Sequence, residues 1–159
     1  MWLLAKNLLF TVVVPGTVAV YLPLSISHAL PPGPPVAIAL AALAFALGAG
    51  IYTWCVWDFA TFGRGTPAPI DAPKKLVVRG LYRAVRNPMY VGVICILLGW
   101  VLFYLSPALL LYAAAVWTLF HAFVRLYEEP HLRQEFGDEY DDYCARVGRW
   151  LPRRLGAAG

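Results

Sequence analysis

Two long stretches of this chain carry no formal charge: there is no Asp, Glu, Lys or Arg between Lys6 and Asp58, and none again between Arg86 and Arg125. Soluble domains average about 25% charged residues. Here the figure is 14%, against 60% hydrophobic, over 159 residues. Neither stretch can form the surface of a soluble domain. A bilayer core about 30 Å thick takes roughly 20 mostly apolar residues per helix, so each stretch has room for a helical hairpin and its turn.

Four spans follow, at about 2–24, 36–57, 88–105 and 107–127. The first two are separated by the uncharged, helix-breaking run Pro31-Pro32-Gly33-Pro34-Pro35. Between the last two, Ser106 supplies a capping oxygen and Pro107 suits a first helical position, so a tight turn and restart is cheap there. Continuous apolar runs without two-residue alternation favour helices over barrel strands. Ser27-His28-Ala29 has the small-x-small form of a signal cleavage site. The preceding apolar run is too long for a signal peptide, however, and Lys6 is a thin basic flank, so the first segment reads as a retained span. The expected fold is all-α: a polytopic membrane protein of four transmembrane helices in two hairpins, one domain over 1–159, with a cytoplasmic amphipathic C-terminal helical segment.

The positive charges set the orientation. With four spans, Lys6, the loop carrying Arg64, Lys74, Lys75, Arg79, Arg83 and Arg86, and the tail carrying Arg133, Arg146, Arg149, Arg153 and Arg154 share one side. The positive-inside rule puts that side, with both termini, in the cytoplasm. The net charge of +4 then reflects attraction to anionic headgroups, and nucleic-acid binding has no place in the reading. Cys55, Cys95 and Cys144 are odd in number and widely spaced, and His28, His121 and His131 do not cluster. Neither a disulfide framework nor a metal site is expected.

Chemistry is therefore sought in three cytoplasmic pieces. In the 58–87 loop, Gly63-Arg64-Gly65-Thr66-Pro67-Ala68-Pro69 is irregular, while 74–82 has helix-compatible spacing interrupted by Gly80. At the entrance to the third span, Asn87 is a good N-cap and Pro88 a good first-turn residue. That helix end with Arg86 is either a seat for a carboxylate or phosphate, or a capped terminus whose arginine snorkels to lipid phosphate. At the end of the fourth span, Glu128 and Glu129 lie where the helix dipole disfavours them. They pair with Arg125 at i,i+3 or i,i+4, or hold the positive part of a ligand. Beyond Pro130, Leu132, Phe136, Tyr140, Tyr143, Val147 and Leu151 recur at helical steps, with a break suggested at Gly137. That tail is a surface-lying amphipathic segment, or one whose tyrosines stack on an adenine or a sulfonium.

Two blocks of residues carry a family resemblance. The run Gly80-Leu81-Tyr82, then Arg86-Asn87-Pro88-Met89-Tyr90-Val91-Gly92 resembles the Gly-x-Tyr, Arg-His-Pro-x-Tyr-x-Gly signature of the isoprenylcysteine carboxyl methyltransferase and phospholipid methyltransferase superfamily. Glu128-Glu129-x-x-Leu132, Phe136-Gly137, Tyr140-x-x-Tyr143, Val147 and Arg149-x-x-Pro152 match its C-terminal block in order and spacing. Asn87 departs from the family's histidine. The resemblance implies an integral membrane enzyme using S-adenosyl-L-methionine, with the cofactor held by the 76–152 half. By that resemblance Arg86, Asn87, Tyr90 and Glu129 are the catalytic candidates. Arg86, Pro88, Tyr90, Gly92, Glu128, Glu129, Tyr140, Tyr143 and Arg149 are the cofactor-binding ones.

The implied partners are the bilayer and a lipophilic or small thiol or carboxylate acceptor, because methylating an amine needs a base and Asn87 removes one candidate. Phospholipid N-methylation stays open, as do a nicotinamide-dependent membrane reductase and a noncatalytic membrane protein. Gly48-Ala49-Gly50, followed by Asp58, resembles a Gly-x-Gly of the phospholipid enzymes. Close helix packing through small residues is the favoured account, because Gly-x-Gly is a weak motif.

Overall fold

The computed structural model describes residues 13–63 and 76–153. The start of the first expected span, the 64–75 loop and Arg154 lie outside the described residues. Within them the chain is helical, its one sheet-like feature an isolated parallel bridge between Val85 and Gly148. Helix α1 covers Val13–Ser27, α2 Pro35–Asp58, α3 Pro88–Tyr104, α4 Pro107–Phe123, α5 Glu129–Phe136 and α6 Asp138–Arg146. Pro35–Thr61 and Pro107–Phe136 are long and apolar enough to cross a membrane, whereas Val13–Ser27 and Pro88–Tyr104 are shorter apolar helices. Val36, Trp57, Leu111 and Leu119 are each at least two-thirds exposed. Faces that present such side chains outward suit an apolar solvent.

Turns and starts follow the local sequence. Leu105 adopts a left-handed conformation (φ 48°), Ser106 Oγ accepts the Leu109 N–H at 3.4 Å, and Pro107 opens α4. The proline-rich turn before α2 is tied to the far end of α3 by the Gly33 N–H, which donates to the Phe103 carbonyl at 2.7 Å.

Two π turns each precede a proline. Thr17–Tyr21 lies before Pro23, and Val124–Glu128 before Pro130. A proline inside a helix has no N–H to return and its ring presses on the carbonyl four residues back, which a locally widened turn relieves. In α1 the carbonyls left over are taken across the bundle. Tyr112 Oη donates to the Val18 carbonyl and Trp100 Nε1 to the Ala19 carbonyl, both at 2.8 Å. At the second site the chain does not stop at Pro130: α4 runs through the π turn directly into α5.

The α2–α3 pair is the closest packed. A Cβ on Gly48 would lie 2.6 Å from the Gly92 carbonyl oxygen and 2.9 Å from the Ile96 nitrogen, and one on Gly92 3.0 Å from the Gly48 carbonyl oxygen. Backbone meets backbone there, which glycine alone permits. Gly99 admits the Phe45 ring in the same way, whereas a Cβ on Gly50 would meet nothing. Packing thus accounts for Gly48, and Gly92, expected near the cofactor, sits at this crossing. Gly48→Ala should destabilise the protein by about 1–3 kcal/mol through overpacking, and Gly50→Ala should not. Thermal unfolding of the two variants in detergent checks this, and equal melting temperatures would refute the crossing.

Candidate functional site

The site forms where α3 begins and α4 passes into α5. Residues 76–79 are not helical, Arg79 being extended, and only Gly80–Arg83 makes a 3-10 turn, opened by Gly80 at φ +53°. Of the expected 74–82 helix, 74 and 75 lie outside the described residues, and 76–79 do not form one because Leu76 and Val78 instead pack on Tyr140, Tyr143 and Val147 of α6 and its C-terminal edge. Gly80 is required for its backbone and its neighbour: a Cβ there would fall on the buried carboxylate of Asp58.

After α6 the chain turns back onto the start of α3. Val85 bridges Gly148, and the Arg86 N–H donates to the Gly148 carbonyl at 2.8 Å. Asn87 stands at the N-cap position, yet its side chain does not cap the helix. Its Nδ2 donates to the Arg149 carbonyl at 3.2 Å, and Asn87 is buried. The cap is forgone for an acceptor on the returning backbone.

This return brings two arginines to one acid. Arg149 grips Glu129 with both arms, Nε to Oε1 at 2.7 Å and Nη2 to Oε2 at 2.8 Å. Arg86 Nη1 reaches the same Oε1 at 3.0 Å and Cys144 Sγ at 2.6 Å. The Arg86 and Glu129 side chains are only 12% and 9% exposed. Burial opposes the charge on Glu129, but the Arg149 hydrogen bonds and the charges of Arg86 and Arg149 outweigh it and hold the carboxyl below the usual carboxylate range. Arg125, the expected partner by helical spacing, is exposed and makes no ion pair among the described residues. Two cations face one anion, and Arg86 Nε is buried without a hydrogen-bond partner.

Glu128 faces elsewhere. Its Oε2 accepts from Tyr90 Oη at 2.9 Å. Burial raises the Glu128 carboxyl above the usual range, the Glu129 charge adds to this, and the Tyr90 hydrogen bond opposes it. The two adjacent acids are thus driven in opposite directions by their surroundings. The Tyr90 ring packs against Phe120 and Trp150, and Trp150 against Trp117, with Trp150 Nε1 donating to His121 Nδ1 at 3.2 Å. Tyr140 and Tyr143 are buried in the α6 cluster, Tyr143 Oη on the Tyr82 carbonyl at 2.7 Å and Tyr140 beneath the Arg133 guanidinium. Pro88 is buried at the start of α3.

The phospholipid methyltransferase family profile matches residues 36–139 of this chain. The chain belongs to the phospholipid methyltransferase family. Its similar relatives include a probable protein-S-isoprenylcysteine O-methyltransferase of Oryza sativa subsp. indica, 34% identical over 79 residues, which are 49% of this chain and 41% of that protein. Protein-S-isoprenylcysteine O-methyltransferase B of Arabidopsis thaliana is 34% identical over 49% of this chain and 40% of its own length. The chain thus spans about two fifths of the length of the curated relatives it matches.

In this phospholipid methyltransferase family member the matched region contains Arg86, Tyr90, Glu128 and Glu129 and ends before Arg149. The structure unites Arg86, Asn87, Glu129 and Arg149, and sets Tyr90 and Glu128 as a separate pair. Sequence reasoning missed Cys144 and Trp150. Cys144 lies one step from Tyr143 and carried no metal or redox spacing. Trp150 follows Arg149 directly, and an aromatic beside a family arginine was the available signal.

Glu129→Gln should lower stability by about 2 kcal/mol, less than for a fully buried pair because Arg149 is 30% exposed. The sign with pH follows. A carboxyl whose folded pKa is lowered stabilises the fold above the ordinary carboxylate range, and loses that contribution as pH falls through the lowered native value. Melting temperature against pH should therefore drop more steeply on acidification in the wild type than in the variant; parallel curves would contradict this.

Proposed function

We propose that this protein is an integral membrane methyltransferase that uses S-adenosyl-L-methionine, with four spans, both termini and the cofactor site on the cytoplasmic side, and an acceptor that arrives through the bilayer. One observation carries the reading: the part-buried Arg86–Glu129–Arg149 cluster holds one more cation than anion and leaves Arg86 Nε without a partner. That surplus suits the donor's carboxylate, and Glu128 suits its ammonium or ribose. When bound, S-adenosyl-L-methionine supplies a methyl carbon activated by a sulfonium.

The chain's own part is to hold, align and dry the site. Glu129 keeps the two guanidiniums at fixed spacing, and Asn87 and the Val85–Gly148 bridge fix the returning backbone that carries Arg149. Tyr90, Phe120, Trp117 and Trp150 form an aromatic wall that excludes water from the reacting centre. Pro88 and Gly92 serve by fixing the start of α3 against α2.

A lipid-borne carboxylate or a thiol is the favoured acceptor, in the manner of isoprenylcysteine carboxyl methylation, since neither needs a strong base. A second reading, N-methylation of a phospholipid amine, rests on the Tyr90–Glu128 pair, where a carboxyl raised by burial is suited to receive the amine's proton.

Titration of the detergent-purified protein with S-adenosyl-L-methionine and with NADPH tests the class. Saturable binding of the first alone is expected, weakened more than about tenfold in Arg86→Ala. Binding of NADPH alone, or of neither by folded protein, overturns the reading. With labelled methyl donor, a prenylcysteine, a fatty acid or a small thiol should accept label ahead of phosphatidylethanolamine, and the reverse order would favour the amine reading.

A further inference from the structure

Outside the Glu129 cluster, a cavity of about 540 Å³ opens between the 3-10 turn, α6 and the chain that follows it. Its volume is that of a small-ligand site. Three of its lining side chains are Arg83, Arg146 and Arg153, set over a floor that includes Val78, Val147 and Pro152. No acidic side chain is among its lining residues, and none of the three arginines makes an ion pair among the described residues.

Arg146 spends Nε on the Asp142 carbonyl and Arg153 spends one nitrogen on the Ala145 carbonyl. These bonds to the last turn of α6 orient both guanidiniums and leave most of their donors free. Arg83 comes from the other wall.

We propose that this cavity binds a phosphoryl group attached to an apolar or glyceryl body. The three arginines are solvent-exposed and without ion-pair partners among the described residues, so each can donate to phosphate oxygens, and the apolar floor accepts the adjoining carbon chain. The same charge disfavours a sulfonium ligand, so the site is distinct from the one assigned to the methyl donor. It shares a wall with that site, however: Val147 lines the cavity, Gly148 accepts the Arg86 N–H, and Arg149 grips Glu129. An occupied cavity therefore braces the segment on which the Glu129 cluster depends. The phosphoryl group belongs either to a lipid headgroup or to a soluble phosphate.

The full chain in neutral detergent is titrated with dioctanoyl phosphatidic acid and, separately, with inorganic phosphate. Saturable binding of phosphatidic acid without phosphate assigns a lipid source, and binding of phosphate assigns the phosphoryl group itself. Arg83→Gln combined with Arg146→Gln should weaken either ligand more than about tenfold. Each single variant should act in the same direction, which keeps the test readable if the pair does not fold. Arg125→Gln removes the same charge from an exposed site outside the cavity and should change nothing. Absence of saturable binding to both probes overturns the proposal, as does equal weakening by Arg125→Gln.

Discussion

Glu129 is held by both Arg149 and Arg86, and much of the surrounding architecture depends on that contact. Arg86 stands just before α3, Glu129 opens α5, and Arg149 lies on the chain returning from α6. A single carboxylate therefore joins three segments that are distant in sequence. A buried charge left alone in such a place would be strongly unfavourable. The geometry is accordingly redundant: bidentate Arg149, Arg86 on one of the same oxygens, and Asn87 and the Gly148 carbonyl fastening the backbone between them. The same redundancy leaves a positive surplus, on which the proposed seat for the donor's carboxylate rests.

The helices beneath supply a rigid platform. Glycine-to-glycine contact brings α2 against α3 at backbone distance, which fixes where the first turn of α3, with Pro88 and Tyr90, emerges. The π turn before Pro130 has a functional consequence as well as a steric one. By widening the helix ahead of the proline it lets α4 continue into α5, and two adjacent acids end on different partners, Tyr90 for Glu128 and the arginines for Glu129.

What could be read from the sequence was what depends on near neighbours. The Ser106-Pro107 restart, the break at Gly137 and the helices that begin at Pro35 and Pro88 follow from side-chain capping, proline geometry and apolar run length, all local causes. The helical reading of the spacing failed over 76–79 because Leu76 and Val78 meet α6, a contact with no local signature. Asn87 looked like a cap because its sequence neighbours offered no better acceptor; the Arg149 carbonyl arrives from the far end of the chain. Arg125 looked like the partner of the acids for the same reason. The family blocks named Arg86, Glu129 and Arg149 individually, but their union on one carboxylate is tertiary information.

The central claim is that Glu129 and Arg149 act as one unit. A double-mutant cycle tests it most directly, with Glu129→Gln, Arg149→Gln and the two together compared with wild type by equilibrium or thermal unfolding in detergent. The account predicts a coupling of more than about 1 kcal/mol, with the double variant little worse than the more damaging single one. Additive losses, with coupling near zero, would contradict it.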